Sequence, residues 1–226
     1  MIDIRANLEA VHERIGAACR RAGRRPDDVL LIAVSKTVEA DRIRRAVEAG
    51  VRALGENRVQ EAREKVAALG RLAAWHLVGS LQTNKAKDAA QIFDWIHSVD
   101  RVELARELDR RAEAAGRVLD VLLQVNTGEE PQKGGVAPAE LKALADTAAG
   151  FRHLRVRGLM AIPPLAAAAA ARPQFRRLRE LRDQLGLEHL SMGMSADFEV
   201  AIEEGATMVR VGTAIFGARP GSSAPR

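Results

Sequence analysis

The sequence predicts an α/β fold, namely a single (β/α)8 TIM barrel with an extra N-terminal helix. Short apolar runs alternate with segments of helical periodicity along most of the 226 residues, and this alternation is typical of parallel strands joined by helices. Eight such pairs can be counted, and eight strand–helix units fit a closed barrel of this length better than an open sheet. An open doubly wound sheet stays the alternative, because the strands predicted at 94–98 and 188–191 are short.

The first element is a helix over about residues 3–22, in which Leu8, Val11, Ile15 and Ala18 share one face. Apolar runs predict the eight strands at 29–35, 51–55, 74–79, 94–98, 118–125, 154–160, 188–191 and 207–211. Apolar residues at spacings of three and four predict helices at 39–49, 58–69, 84–90, 101–115, 138–149, 173–185 and 197–204. The alanine-rich stretch 163–173 is predicted as a loop whose alanines can extend the next helix. The barrel domain then covers residues 1–216, and residues 217–226 form a flexible tail.

The composition indicates a globular protein that suits anionic small molecules. Hydrophobic residues make up 47% of the chain, and 35 Lys and Arg against 30 Asp and Glu give a net charge of +5. Arginine pairs raise the possibility of nucleic-acid binding, but two Trp, five Phe and no Tyr leave few rings for base stacking. The single cysteine, Cys19, excludes an internal disulfide, and no apolar run approaches the ~20 residues of a membrane span. We therefore expect a cytoplasmic protein with no nucleic-acid or membrane partner.

Lys36 is the first candidate for chemistry, because it closes the apolar run 30–35 where a buried strand reaches the surface. Burial favours the neutral form of an amine, and a neutral amine can attack an aldehyde to form a Schiff base. A lysine at a strand end can also simply mark the return of the chain to water.

Polar groups follow the strands at the end where parallel barrels carry their sites. They are Lys36, Glu56, Asn57, Ser80, Gln82, Ser98, residues 126–128, Met160, residues 191–195 and residues 210–213. After the seventh strand, Ser195 precedes a helix start, and after the eighth strand Gly212 and Thr213 offer backbone N–H groups and a hydroxyl. Together these loops predict a phosphate cup. The alternative is that Ser195 and Asp197 only cap a helix and that Gly212 only turns the chain.

A lysine opposite a phosphate cup suits an aldehyde that carries a phosphate ester, and the common cofactor of that kind is pyridoxal 5′-phosphate. Eight blocks in this order strengthen that interpretation: 33–36 (AVSK), 55–61 (GENRVQE), 75–85 (WHLVGSLQTNK), 97–100 (HSVD), 124–126 (QVN), 158–160 (GLM), 191–197 (SMGMSAD) and 210–217 (RVGTAIFG). Through them the chain resembles the pyridoxal phosphate homeostasis proteins, single-domain barrels similar to the N-terminal domain of alanine racemases. Arg58 departs from the family pattern, in which an aromatic residue is usual.

The resemblance implies a role for each candidate site residue. Lys36 would form the internal aldimine, Arg210 would face the pyridine nitrogen, and Asn57 would lie near the cofactor. The remaining cofactor-binding candidates are Ser195, Gly212 and Thr213, which would hold the phosphate, and Met194 of the SMGMSAD block. A guanidinium only donates hydrogen bonds, so the ring nitrogen would stay unprotonated and the ring would be a poor electron sink.

The resemblance also implies a function: binding, buffering and delivery of pyridoxal phosphate, with effects on amino-acid and keto-acid balance. Related racemases take an opposing tyrosine base from a second domain, and this chain has no tyrosine. We therefore expect a carrier rather than an enzyme, with a racemase of low activity as the alternative. The expected partners are the cofactor and pyridoxal-phosphate-dependent apo-enzymes, and the expected state is a monomer.

Overall fold

The computed structural model describes residues 2–130, 133–163 and 168–217. Eight parallel strands form a closed barrel in sequence order, and β8 pairs with β1 to close it. The predicted barrel is confirmed, and the open-sheet alternative is wrong. The strands are β1 Leu30–Val34, β2 Ala53–Glu56, β3 Ala74–Leu77, β4 Trp95–Val99, β5 Leu119–Gln124, β6 Leu154–Met160, β7 His189–Ser191 and β8 Met208–Val211.

Helices follow the strands and cover the outside of the barrel. They are α1 Ile4–Arg21, α2 Ala40–Glu48, α3 Val59–Leu69, α4 Ala86–Ile92, α5 Val102–Ala114, α6 Leu141–Ala149, α7 Arg172–Gln184, α8 Phe198–Glu203 and α9 Thr213–Phe216. The extra N-terminal helix is confirmed: Asp3 caps α1 by accepting a hydrogen bond from the Ala6 N–H (3.0 Å), and Leu8, Val11 and Ile15 are buried. It packs against α8 and α9.

Three details differ from the sequence prediction or fall outside it. β2 begins at Ala53 rather than at residue 51 and includes Glu56, which was expected just beyond the strand. The short helix α9 was not predicted. Ala168–Ala171 form a 3-10 turn that runs directly into α7, whereas residues 164–167 of the alanine-rich stretch and 218–226 of the expected tail lie outside the described residues.

The core has two layers, because successive side chains of a strand point to opposite faces. The outer layer packs between the sheet and the helices. The inner layer fills the barrel with Ile32, Ala53, Leu122, Met160 and Met208. Further along the same strands the inner face becomes polar, and this change brings the barrel interior into contact with the candidate site.

Candidate functional site

The carboxyl ends of β1, β2 and β8 bring Lys36, Asn57 and Gly212 to the same side of the barrel mouth. Strand β1 pairs with both neighbours, with Val34 opposite Gly55 and Ala33 opposite Val211. Gly212 lies so close to β1 that an added Cβ would be 3.1 Å from the Val34 carbonyl oxygen. Lys36 is half-buried and stands two residues after Val34. The chain therefore places it between the loop of Asn57 and the loop of Gly212.

The loops after β7 and β8 are joined by a hydrogen bond, in which the Gly212 N–H donates to Ser195 Oγ (3.3 Å). Gly193 turns the β7 loop in the left-handed region (φ +90°), and a Cβ there would lie 2.6 Å from the Ala201 Cβ. Asp197, which precedes α8, accepts a hydrogen bond from the Met194 N–H (2.6 Å). The hydroxyl of Ser195 thus contacts the neighbouring loop and does not cap α8. The structure brings Ser195, Met194, Gly212 and Thr213 together beside β1.

Arg210 of β8 lies inside the barrel, where it is 4% exposed. Its guanidinium donates to Ser191 Oγ (2.7 Å) and to the Ala161 carbonyl (2.9 Å), so the group is held from two directions. Burial lowers the pKa of Arg210 to about 10, and the charge of Asp197 opposes that shift. The guanidinium is therefore protonated at neutral pH and presents only donors.

Two histidines continue the hydrogen bonds of Arg210 into the barrel. Ser191 Oγ lies 2.9 Å from His97 Nδ1, and His97 Nε2 lies 2.9 Å from His76 Nδ1. Arg210 donates to Ser191, and the serine can pass its own hydrogen on to His97 Nδ1. In that tautomer His97 carries its proton on Nε2 and donates to His76. One chain of hydrogen bonds thus links four side chains in the order Arg210, Ser191, His97 and His76, and we call these four residues the interior file.

The interior file is uncharged beyond Arg210. Burial lowers the pKa of His76 to about 3, and burial, together with the positive charge of Arg210, lowers the pKa of His97 well below 6.5. His76 stacks on Trp95 with ring centroids 5.7 Å apart. Trp95 in turn lines a cavity of about 800 Å³ at the opposite end of the barrel. The sequence prediction did not connect these two histidines to Arg210.

The other side of the mouth is built by β3, β4 and β5. Gly134 lies near Ser80, Asp100 and Gln124, and Gln124 donates a hydrogen bond to its carbonyl (3.0 Å). Asn126 closes its own loop through two hydrogen bonds to the Glu130 backbone. Ser98 is different from the expectation, because it is buried within β4 rather than placed at the mouth.

Glu56 also departs from the expectation, because its side chain points out of the barrel. Ala53 faces the interior, so Glu56, three residues on in the same strand, faces the surrounding helices. There it contacts Ser35 and Lys65 of α3. Within the described ranges, no group of three or more His, Cys, Asp and Glu could hold a metal ion, and no helix is long and apolar enough to cross a bilayer.

Comparisons with known proteins identify the family of this chain. A family model, "Alanine racemase, N-terminal domain", matches residues 6–220. The "Pyridoxal phosphate homeostasis protein" of Pseudomonas aeruginosa is 50% identical over 223 residues, covering 97% of each chain. The protein of the same name from Escherichia coli K12 is 43% identical, covering 97% of this chain and 98% of the other.

Solved structures give the same result. PipY of Synechococcus elongatus, solved with PLP bound, superposes with a TM-score of 0.84 at 43% identity, covering 95% of this chain and all of that one (100%). An alanine racemase of Clostridium difficile superposes with a TM-score of 0.69 at 16% identity, and the match covers 57% of its chain. That second likeness is one of fold alone.

Proposed function

This chain belongs to the pyridoxal phosphate homeostasis proteins, within the alanine racemase N-terminal domain family, and from that premise we propose that it binds pyridoxal phosphate at the barrel mouth. Its role is to hold the cofactor reversibly and to buffer and deliver it within the cytoplasm. The observation that carries the proposal is the convergence of Lys36, the joined loops of Ser195 and Gly212, and the buried cation Arg210.

The donor set fits each part of this cofactor. The close approach of Gly212 to β1 leaves little room for a side chain, and the Ser195 hydroxyl beside the Gly212 N–H suits a phosphate. Lys36 supplies an amine between these groups and Asn57. When bound, pyridoxal phosphate supplies an aldehyde, which condenses reversibly with an amine and releases one water.

The residues of this chain favour holding the cofactor over turnover. Arg210 keeps its proton, so it supports a ring nitrogen that accepts a hydrogen bond and gains no charge. Its partners Ser191 and the Ala161 carbonyl hold it in place, and the interior file offers no second cation to the ring. The sequence contains no tyrosine to serve as an opposing base. We infer a carrier that acts as a monomer and exchanges its cargo with apo-enzymes.

The first experiment combines the purified protein with pyridoxal phosphate, reduces the mixture with borohydride and locates the adduct by peptide mass spectrometry. Lys36→Ala is compared with Lys142→Ala, which removes an exposed lysine of α6 that pairs with Asp146. We expect an adduct on Lys36 in the wild type and in Lys142→Ala, and none at that position in Lys36→Ala. A wild-type protein without an adduct on Lys36 would refute the proposal.

A second measurement separates carrier from racemase. The loaded protein is incubated with single amino acids, and the enantiomers are separated by chiral chromatography. We expect no enrichment of the opposite enantiomer above the level of free pyridoxal phosphate. Sustained turnover of one amino acid that depends on Lys36 would favour the enzyme.

A further inference from the structure

Lys36 lies in a tight turn whose backbone is strained. The Val38 N–H donates to the Ser35 carbonyl (3.0 Å), which closes the turn around Lys36 and Thr37. Thr37 has a φ of +62°, a left-handed conformation that glycine usually provides. For a β-branched residue such a conformation costs about 1–3 kcal/mol and persists only where the surroundings impose it.

Two side chains of α3 impose it from outside the barrel. Glu61 Oε1 accepts a hydrogen bond from the Thr37 N–H, and Lys65 Nζ donates to the Ser35 carbonyl (2.5 Å). Glu61 and Lys65 also pair with each other (2.7 Å), one helical turn apart. The peptide groups on both sides of Lys36 are thereby tied to one helix. We call Glu61 and Lys65 the turn brace.

The turn brace is anchored to the barrel through a buried carboxylate. Glu56 is 0% exposed and accepts hydrogen bonds from Lys65 (2.7 Å) and from the Ser35 hydroxyl (2.6 Å). Lys65 therefore donates to three acceptors, as many as an ammonium group can serve. Burial raises the pKa of Glu56, although the bonds from Lys65 and Ser35 oppose the shift.

Glu61 behaves differently from Glu56. Burial alone would raise the pKa of Glu61, but the hydrogen bonds from Lys65 and from the Thr37 N–H outweigh burial and lower it. Glu61 is thus ionised at neutral pH, and an ionised carboxylate is a strong acceptor for the Thr37 N–H. Its side chain is 25% exposed, so it can be changed without opening the core.

We propose that Glu61 and Lys65 are positioning residues for Lys36, which fix the turn so that the Lys36 amine emerges at one place in the barrel mouth. The proposal rests on the proposed function, because it gives a reason for the strain at Thr37: the turn aims an amine at a bound aldehyde. The turn brace touches the backbone of both neighbours of Lys36 from the helix side of the sheet. A misplacement of about 1 Å in a reacting group can cost about 100-fold in rate.

The test uses three variants of α3. Glu61→Ala removes the acceptor of the Thr37 N–H but leaves the buried pair of Lys65 and Glu56 intact. Glu61→Gln keeps an acceptor oxygen and removes the charge. Glu64→Ala is the matched control, because it removes an exposed carboxylate of the same helix that is bonded to Gln60 (2.9 Å).

Two readouts need no cofactor. Amide hydrogen exchange reports whether the Thr37 N–H is held, and reductive methylation by formaldehyde and cyanoborohydride, quantified by mass spectrometry across pH, reports the reactivity of the Lys36 amine. The third readout is the rate at which pyridoxal phosphate becomes attached to Lys36. In Glu61→Ala we expect exchange of the Thr37 N–H to be about tenfold faster and attachment of pyridoxal phosphate to Lys36 to be about tenfold slower. The loss is smaller than the roughly 100-fold cost of a 1 Å displacement, because the variant loosens the turn and does not move Lys36 to a new position.

The other two variants distinguish the positioning of Lys36 from an effect of the charge of Glu61. Glu61→Gln should remain within about twofold of the wild type, since it keeps the hydrogen bond, and Glu64→Ala should match the wild type. Attachment at the wild-type rate in Glu61→Ala would overturn the inference. So would equal slowing in Glu61→Gln, or a shifted midpoint in the methylation pH profile, because either result would indicate a charge effect in place of positioning.

One outcome separates this inference from the proposed function. If the wild type forms no adduct on Lys36, the proposed function fails and the inference fails with it. If the wild type forms the adduct and Glu61→Ala does so equally well, only the inference fails. Should Glu61→Ala not fold, Glu61→Asp shortens the side chain by one methylene, keeps the charge and must show the same direction of change.

Discussion

Acidification should destabilise this protein through His76. This histidine is 1% exposed inside the barrel, and burial lowers its pKa to about 3 from an ordinary value of 6.5. Between those two values the unfolded chain binds a proton that the folded chain does not. The stabilisation from the neutral ring is therefore complete above pH 6.5 and is lost as the pH falls from about 6.5 toward 3.

The size of the effect follows from the pH range between the two pKa values of His76. One proton contributes about 1.4 kcal/mol for each pH unit, so His76 alone should cost about 2 kcal/mol between pH 6.5 and pH 5.0. His97 acts in the same direction, since burial first, and then the positive charge of Arg210, lower its pKa. Both rings belong to the interior file, so the two losses are coupled.

The assay is urea unfolding at several pH values for the wild type and His76→Asn. An asparagine carbonyl can accept the hydrogen bond that His97 donates, so the variant removes the titrating group but keeps the acceptor. His12→Asn, at an exposed position of α1, controls for the loss of a histidine. We expect the free energy of unfolding of His76→Asn to fall by about 2 kcal/mol less than that of the wild type between pH 6.5 and pH 5.0. If the free energy of unfolding fell equally with pH in the wild type and in His76→Asn, the reasoning would be refuted.

Two further predictions concern the loops of the mouth. Gly193→Ala should lower the free energy of unfolding by more than about 2 kcal/mol, because the new Cβ would lie 2.6 Å from Ala201 at a φ of +90°. The measurement is urea titration, and the control is Gly186→Ala, in which nothing lies within 4 Å of the new Cβ. We expect the control to cost about 1 kcal/mol. Ser195→Ala should weaken equilibrium binding of pyridoxal phosphate about tenfold, measured by fluorescence, while binding of pyridoxal without its phosphate stays unchanged. An equal loss for both ligands would place the phosphate away from Ser195 and Gly212.

The sequence was sufficient for the barrel because each strand is a short apolar run and each helix has its own periodicity. The strand ends were less certain, and this uncertainty had consequences. With β2 assigned to 51–55, Glu56 was expected at the mouth, but the period of two from Ala53 places it on the helix side. The spacing of Glu61 and Lys65 could have predicted their own pair on α3, but it does not indicate the bond from Lys65 to Glu56.

The site was partly predictable for a similar reason. The loops of Ser195 and Gly212 could be assigned from the strand order alone, because neighbouring parallel strands end at the same edge. The hydrogen bonds of His76 and His97 could not, since they depend on the stagger between β3, β4 and β7. The helix α9 has only four residues, Thr213–Phe216, and is too short to show a period.

The different surroundings of the two tryptophans provide an optical probe within the protein itself. With two tryptophans and no tyrosine, its ultraviolet emission comes from indole alone. Trp75 faces the helices and is 0% exposed, whereas Trp95 lines the cavity of about 800 Å³ at the end of the barrel opposite the mouth. A dissolved quencher such as iodide should therefore reach one indole and spare the other. Pyridoxal phosphate bound at the mouth would accept excitation energy from the indoles and lower their emission. Iodide quenching would then separate the contribution of Trp95 from that of Trp75.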